Sequence, residues 1–472
     1  MKINRNMSAV MANKQLLRTE NRLAKSMERL SSGYKINKSG DNPAGMAISN
    51  KMKAQIDALD KAEQNAADGT SVLQIADGAL NEVSSILQSM NELSIQAANG
   101  TNSTSDRKSI QLEIDELKKE VNRISENTEF NTKSLLDGSS DVRTYCDFAT
   151  RMNVSDQVQP GMYRVEIDGL PTQSSYEITV NGPVDETGML TINGKNIKLS
   201  SGMDLEDIAK ELRNMQDEIG AEVTVNGSTI TITSVGYGSK YSLDVSVDKE
   251  SFLTNNPNLA FDALDQQSDG SYAKVYSGDD IHVKTLLLYN EKTDAYEEVP
   301  SVLCNASDRR VKLTDPYGLE IDFLVNSNVT LGDYDFEVTD IGAMTLQIGA
   351  NQYQTMDVRI PEISTESLYL DEIDLLAYKG PEFAMTTIDE AITRLNDIRS
   401  RIGAFQNRVE YAESGLAETQ ENVTAAYSRI IDTDMASEMT EYTQLNILDQ
   451  ASVSVLAQAN DLPQQVLSLL GR

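Results

Sequence analysis

Both ends of this chain repeat apolar residues every seven positions, and that repeat constrains the fold more than any other feature of the sequence. Leu395, Ile402, Val409, Leu416, Val423 and Ile430 fall seven apart, and Ile398, Phe405, Ala412, Thr419 and Ala426 each follow by three. An a/d seam of about five heptads predicts a left-handed coiled coil. Near the start, Ala9, Leu16, Leu23 and Leu30 keep the same spacing, with Met27 and Tyr34 as part of a second seam. Ser31-Ser32-Gly33 reads as a helix end, and Asp41-Asn42-Pro43 as a restart with an Asx cap and a proline in the first turn. Met52, Leu59, Ala66, Leu73, Leu80 and Leu87 then run beside Ile48, Gln55, Ala62, Gly69, Ala76, Val83, Met90 and Ala97. That predicts one helix over 44–100, about 85 Å long at 1.5 Å per residue, with Gln55 and Gly69 as weak points. A third helix carries Ile110, Ile114, Leu117, Val121 and Ile124. The chain closes on Leu445, Leu448, Val455, Leu462 and Leu469, and Pro463 is expected to end or break that last helix.

The middle alternates instead. Tyr163–Ile167 runs into Asp168-Gly169, Tyr176–Val180 into Asn181-Gly182, Leu190–Ile192 into Asn193-Gly194, and Glu222–Val225 into Asn226-Gly227. These are hairpin signals, interrupted by one helix near Leu205–Glu218 and followed by a second β-rich stretch over about 272–340. The fold class is therefore α+β: a coiled-coil helical bundle formed by both chain ends, with a β-rich inserted outer region.

Long heptad helices cannot bury their seams alone. Residues 1–37 hold 8 basic and 2 acidic side chains, whereas 430–472 hold 1 and 6, so the two ends attract. Their seams are rich in Ala and Ser, so the tails are expected to order only when more copies pack around them. Repeated head to tail, such a contact gives an open helical polymer.

Charge and chemistry exclude several other functions. The formal net charge of −32 sits mostly in residues 141–383, with 17 basic and 42 acidic side chains. That argues against nucleic acid and for an exposed, soluble surface. No apolar run is long enough to span a membrane. Met1–Asn6 is followed by no hydrophobic core of a Sec-type signal, so bulk features alone suggest a cytosolic chain. Cys146 and Cys304 are 158 apart, with no metal-like spacing, and read as two free thiols. His282, the only histidine, lies in the alternating run Asp280–Lys284 and reads as a strand-surface residue. Asp315 and Asp322 flank Gly318 without calcium-loop spacing and read as solvated turn carboxylates. No catalytic residue, metal site or cofactor is expected; an enzyme or a carbohydrate-binding module on the insert is the remaining alternative outside the structural class.

The residues also carry a resemblance. Arg29–Asn37 with Asp41–Ile48 resembles the N-terminal signature of bacterial flagellins, continued by Asn122-Arg123-Ile124, Phe130-Asn131 and Leu135–Gly138. Arg399–Val409, Glu421–Ala426, Ser428-Arg429-Ile430, Ala457–Asn460 and Leu462–Leu467 are similar to the C-terminal flagellin domain and its tail. The resemblance implies a filament subunit in four parts. Residues 1–43 with 430–472 would form the inner core, and 44–140 with 344–429 the tube wall. The wall would carry a β-hairpin at Leu346–Asn351. Residues 141–270 would form one β-rich outer domain and 271–343 a second. It implies a helical homopolymer built on Leu16, Leu23, Leu30, Leu395, Ile402, Val409, Leu416, Val423, Ile430, Leu448, Val455 and Leu462. It further implies unfolded export through the flagellar type III channel, which overrules the cytosolic expectation. An export chaperone and the filament-cap and hook-junction proteins are the implied partners. A hook–filament junction protein is the alternative within the class. Finally, it implies a Toll-like receptor 5 surface at Leu87, Gln88, Ser89, Met90, Glu92 and Leu93, with Glu113 on the next helix. The family pattern has Arg where Ser89 stands and a basic residue where Asn91 stands, so receptor engagement is expected to be weak. Leu87 and Met90 lie on the heptad seams and read first as packing residues.

Overall fold

A computed structural model describes residues 6–155, 157–248, 250–262, 264–267, 271–290, 293–377 and 379–470, and their side chains except at 217, 250, 251 and 462–470. Its helices are α1 (Met7–Ser32), α2 (Pro43–Ala98), α3 (Thr104–Asn127), α4 (Leu205–Asn214), α5 (Gln216–Ile219), α6 (Glu250–Asn255), α7 (Gly380–Ile431) and α8 (Met435–Leu470). The chain divides into two compact units, one of Met1–Thr70, Leu346–Met356 and Arg408–Arg472, the other of Ser71–Thr345 and Asp357–Asn407.

In the first unit α1 lies antiparallel to α8. Gly33 ends α1 in the left-handed region (φ +74°), its N–H donating to Arg29 O at 2.8 Å. A short antiparallel bridge then joins the turn after α1 to the turn before α8. Lys35 N–H donates to Ile431 O at 2.6 Å and Thr433 N–H to Gly33 O at 2.9 Å. Asn42 Oδ1 accepts from Gly45 N–H at 3.0 Å and so opens α2. Gly69 is a seat rather than a flaw: a Cβ there would come within 2.6 Å of Leu346 Cδ1. Leu346 lies on the hairpin formed by Met344–Gln347 and Thr355–Val358.

In the second unit Leu73, Ala76, Leu80, Val83, Leu87, Met90 and Ala97 of α2 are fully buried, as are Ile114 and Val121 of α3. An irregular segment over 360–377 buries Ile360, Ile363, Leu368, Leu370 and Leu375. Its backbone is satisfied by α3: Gln111 Nε2 and Lys118 Nζ donate to Ile373 O at 3.3 and 3.0 Å.

The β-rich insert is two nested sandwiches. In the first, strands Ala295–Glu298, His282–Asn290, Gly161–Gly169, Gly332–Thr339 and Arg143–Cys146 form one sheet. Leu303–Ser307, Arg310–Thr314, Glu320–Val325 and Ala149–Val154 form the other, and Phe148, Tyr163, Phe323 and Phe336 fill the core between. The second sandwich is spliced into this one. It comprises the sheets of Leu259–Phe261, Gln173–Val180, Thr229–Tyr237 and Ala221–Asn226, and of Asp265–Gln266, Tyr272–Tyr276, Leu243–Val247, Gly188–Ile192 and Lys195–Leu199. The boundary expected between 270 and 271 therefore does not follow the pairing, because Arg143–Gly169 pairs with strands of 282–339.

Two of the four hairpin signals are hairpins. Asn193-Gly194 links strands in which Ile192 faces Lys195, both turn residues having positive φ (50° and 77°). Gly227-Ser228 similarly closes Asn226 onto Thr229. Asp168-Gly169 and Asn181-Gly182 instead carry the chain between sheets. Neither glycine has positive φ, and Pro171 and Pro183 follow closely, where a ladder donor would be needed.

Candidate assembly interface

The α1/α8 pair has Ala9, Leu16, Leu23, Leu30 and Leu445 inward, as the repeat predicts, but the rest of its contact differs from the expected seam. On α1, Thr19 and Ser26 are buried (3% and 2% exposed), with Ala9, Ala12, Leu16, Leu23 and Leu30 half-buried around them. On α8, Glu438, Leu445 and Ala459 are buried, with Tyr442, Asp449, Ser452 and Leu456 half-buried between. Met27 and Tyr34 do not supply the second seam; they are 52% and 44% exposed. Leu448 and Val455, at 42% and 54% exposure, face away from α1, and Leu462 lies outside the described side chains. The reason is geometric. Ala, Ser and Thr at the contact let two backbones approach closely, and the Thr19 hydroxyl is satisfied by Gln15 O at 3.0 Å. Met27, Leu448 and Val455 are turned outward, while Leu16, Leu23, Leu30 and Leu445 stay at the contact. The opposite charges of the two ends meet as Arg22–Glu441 (2.9 Å) and Arg29–Glu438 (3.6 Å). Pro463 does not end α8, which continues to Leu470. The Ala459 carbonyl accepts instead from Asn6 Nδ2 at 2.7 Å.

What the pair leaves open is apolar. Met7, Val10, Met11, Leu17 and Met27 of α1 and Met435, Met439, Ile447, Leu448, Val453 and Val455 of α8 are exposed. Met439, Thr440, Thr443, Gln444, Ile447 and Leu448 line a shallow groove.

The other seam residues divide by depth. Leu395, Ile398, Ile402 and Val409 of α7 are buried, whereas Leu416, Val423 and Ile430 are half-buried and Thr419 is exposed. On α2 the repeat holds from Leu59 onward, but Ile48 and Gln55 are exposed, and Ser49 and Ile56 turn inward. Of the residues for which the resemblance implies receptor recognition, Gln88, Ser89, Glu92 and Glu113 are exposed and Leu93 is half-buried. Leu87 and Met90 are completely buried. Ser89 Oγ donates to Ser85 O at 3.1 Å, spending its hydroxyl within the helix.

Sequence reasoning missed a buried charge cluster that ties the first sandwich to α7 within the second unit. Asp322 is no solvated turn carboxylate: it is 2% exposed. Arg310 grips it with two hydrogen bonds (3.1 and 2.7 Å), Tyr369 Oη donates at 3.1 Å, and Arg394 Nη1 lies 3.7 Å away. Arg310 also stacks over the Tyr369 ring at 3.9 Å and reaches Glu390 of α7 at 2.7 Å. Burial works against the Arg310 charge, but Asp322 outweighs it and the pKa rises; at Arg394 burial prevails and the pKa falls. Only a strand pairing placing Arg310 opposite Leu324, and so diagonal to Asp322, could have revealed this. Asp315, by contrast, is a turn carboxylate, accepting from Tyr317 and Leu319 N–H at 2.7 and 2.9 Å.

A second missed cluster joins the two sandwiches. Asp280 accepts from Ser239 N–H (2.9 Å), Ser239 Oγ (2.6 Å) and Asp308 N–H (2.8 Å). Beside it, burial pushes the Asp308 carboxyl up to about 6, with Arg309 and Lys240 opposing and Glu372 and Asp280 reinforcing. His282 is on the sheet surface as expected, its Nδ1 against Asp168 Oδ1. Cys146 and Cys304 are both free thiols, held protonated by burial. Among the described residues no cluster of three or more His, Cys, Asp or Glu could hold a metal ion. No helix there is long and apolar enough to cross a membrane.

Residues 3–141 match the bacterial flagellin N-terminal helical region, and residues 385–470 the C-terminal helical region. The chain is 32% identical over 469 residues to flagellin D of Vibrio cholerae, covering 99% of both chains. The chain belongs to the bacterial flagellin family. Flagellin of Clostridium tyrobutyricum is 31% identical over 471 residues, covering 98% of this chain and 100% of that one. Among solved structures, hook-associated protein-3 of Legionella pneumophila is a loose likeness: 12% identical, covering 81% of this chain and 98% of that one, TM-score 0.31. The two matched regions contain every N- and C-terminal motif on which the resemblance rested, and the β-rich insert and the hairpin at Leu346–Asn351 fall between them. This flagellin is a structural subunit of the flagellar filament, in a family whose role is structural rather than enzymatic.

Proposed function

We propose that this flagellin polymerises through the apolar face that α1 and α8 leave open, each pair packing against the pairs of neighbouring copies in the filament core. One observation carries the proposal. Among the described residues the pair buries only Thr19, Ser26, Glu438, Leu445 and Ala459 and half-buries a row of leucines, while Met439, Ile447, Leu448 and Val455 point outward. Contiguous exposed apolar surface of this kind marks an interaction site. The half-buried Leu416, Val423 and Ile430 extend the same logic to α7. Export through the flagellar type III channel, with a chaperone holding the α8 tail, fits a helix whose apolar residues face solvent in a single copy. The filament-cap and hook-junction proteins are the further partners, and the subunit acts without catalysis or cofactor, outside the cell. Toll-like receptor 5 is engaged weakly, because exposed Ser89 offers no guanidinium fork. Ile447→Asp and Leu448→Asp test the proposal. Both should leave the monomer's helix content unchanged by circular dichroism and abolish polymerisation. Normal filaments from both variants would refute it.

A further inference from the structure

We infer that Asn6 locks the register of α1 on α8 at the end far from the Gly33–Thr433 bridge, by donating to the one carbonyl inside α8 that Pro463 deprives of its helical partner. In an α-helix the carbonyl of residue 459 accepts from the N–H of residue 463. Proline has no N–H, so α8 runs through Pro463 with that acceptor unfilled from within. Ala459 is buried, 7% exposed, and an unfilled buried acceptor is costly. Asn6 Nδ2 fills it at 2.7 Å. The same side chain caps α1, its Oδ1 accepting from Ala9 N–H at 3.2 Å. One amide thus begins one helix and repairs the other.

The backbone bridge of Lys35 and Thr433 fixes register where α1 ends and α8 begins, but it lies more than twenty residues of helix away from Asn6. Toward that far end the buried or half-buried contact residues are mostly small (Ala9, Ala12, Ser452 and Ala459, with Leu16 and Leu456), so side-chain packing there marks register less sharply than around Leu445. The Arg22–Glu441 pair is exposed (64% and 44%), and long exposed side chains follow such a slip at little cost. Pro463 is the only proline in α8, so the unfilled interior carbonyl occurs at one height only. Placing Asn6 at that height puts Arg29 beside Glu438 and Tyr34 beside Asp432 at the other end.

The inference rests on the proposed role of the pair in assembly, and its test separates the two. The full chain is compared as wild type, Asn6→Ser, Pro463→Ala and the double variant, reading the critical concentration for polymerisation by sedimentation. Serine caps a helix about as well as asparagine but cannot span to Ala459. Asn6→Ser should raise the critical concentration about fivefold, the typical worth of one hydrogen bond. In the Pro463→Ala background, where the carbonyl regains its helical donor, the same change should have little effect. An Asn6→Ser variant equal to wild type, or equally impaired in both backgrounds, overturns the inference. If a chain lacking 1–37 still polymerises, the role of the pair itself is what fails.

Discussion

Replacing Asp322 by Ala should destabilise the first sandwich more than any other single change to a charged residue there. The carboxylate is 2% exposed and serves three partners: both donors of Arg310 (3.1 and 2.7 Å), the Tyr369 hydroxyl (3.1 Å) and, at 3.7 Å, Arg394. Its removal leaves two partly buried guanidiniums facing each other with no anion between them. Breaking a buried pair by deleting one partner costs about 3–5 kcal/mol. Glu390, which reaches Arg310 at 2.7 Å, is 55% exposed and can recover only a fraction of that. Asp322→Asn keeps the size and one acceptor, and should cost about 1–2 kcal/mol. The assay is urea unfolding of the monomer by far-UV circular dichroism and tyrosine absorbance, since the chain has no Trp. A cycle with Arg310→Met should return a coupling above ~1 kcal/mol. Polymerisation should persist, because the cluster is remote in sequence from α1 and α8. An Asp322→Ala variant within ~0.5 kcal/mol of wild type would refute the reasoning, since that is the range of ordinary surface substitutions.

Three further outcomes are expected. Ile402→Asp puts a carboxylate at a site 1% exposed and should cost several kcal/mol and block assembly; Leu416→Asp, at a half-buried site, should be milder in stability yet still block assembly, as sedimentation would report. Asp308 binds its proton more tightly folded than unfolded, so its contribution to stability is full below about pH 4 and lost as pH rises through about 6. Proteolysis of the turn at 236–242 should accordingly speed up between roughly pH 4 and 7, and Asp308→Asn should flatten the change. Ser89→Arg should raise signalling in a Toll-like receptor 5 reporter assay; no increase would remove Ser89 as the cause of weak engagement.

The sequence exposed the helices because their burial is periodic. Leu395, Ile398, Ile402 and Val409, and α2 from Leu59 to Ala97, sit inward where the seven-residue spacing puts them. The rule failed where the contact is made by small residues. Hydrophobicity pointed to Met27, Leu448 and Val455, whereas close approach selected Thr19, Ser26 and Ala459. Pro463 misled for a related reason: a proline ends a helix unless something else satisfies the freed carbonyl, and Asn6 stands 457 residues earlier in the chain. Alternation located the strands of the insert but not their partners. Pairing Gly161–Gly169 with His282–Asn290 across the whole second sandwich is a long-range event without a local signal. The Arg310–Asp322 cluster was hidden for the same reason, since either residue alone reads as surface charge.

The most direct test of the account is negative-stain microscopy, after seeding, of the full chain beside chains lacking 1–37 or 430–472. The account predicts long filaments of uniform width from the full chain and soluble, folded monomers from both truncations. Filaments from either truncated chain would contradict the claim that α1 and α8 together build the core.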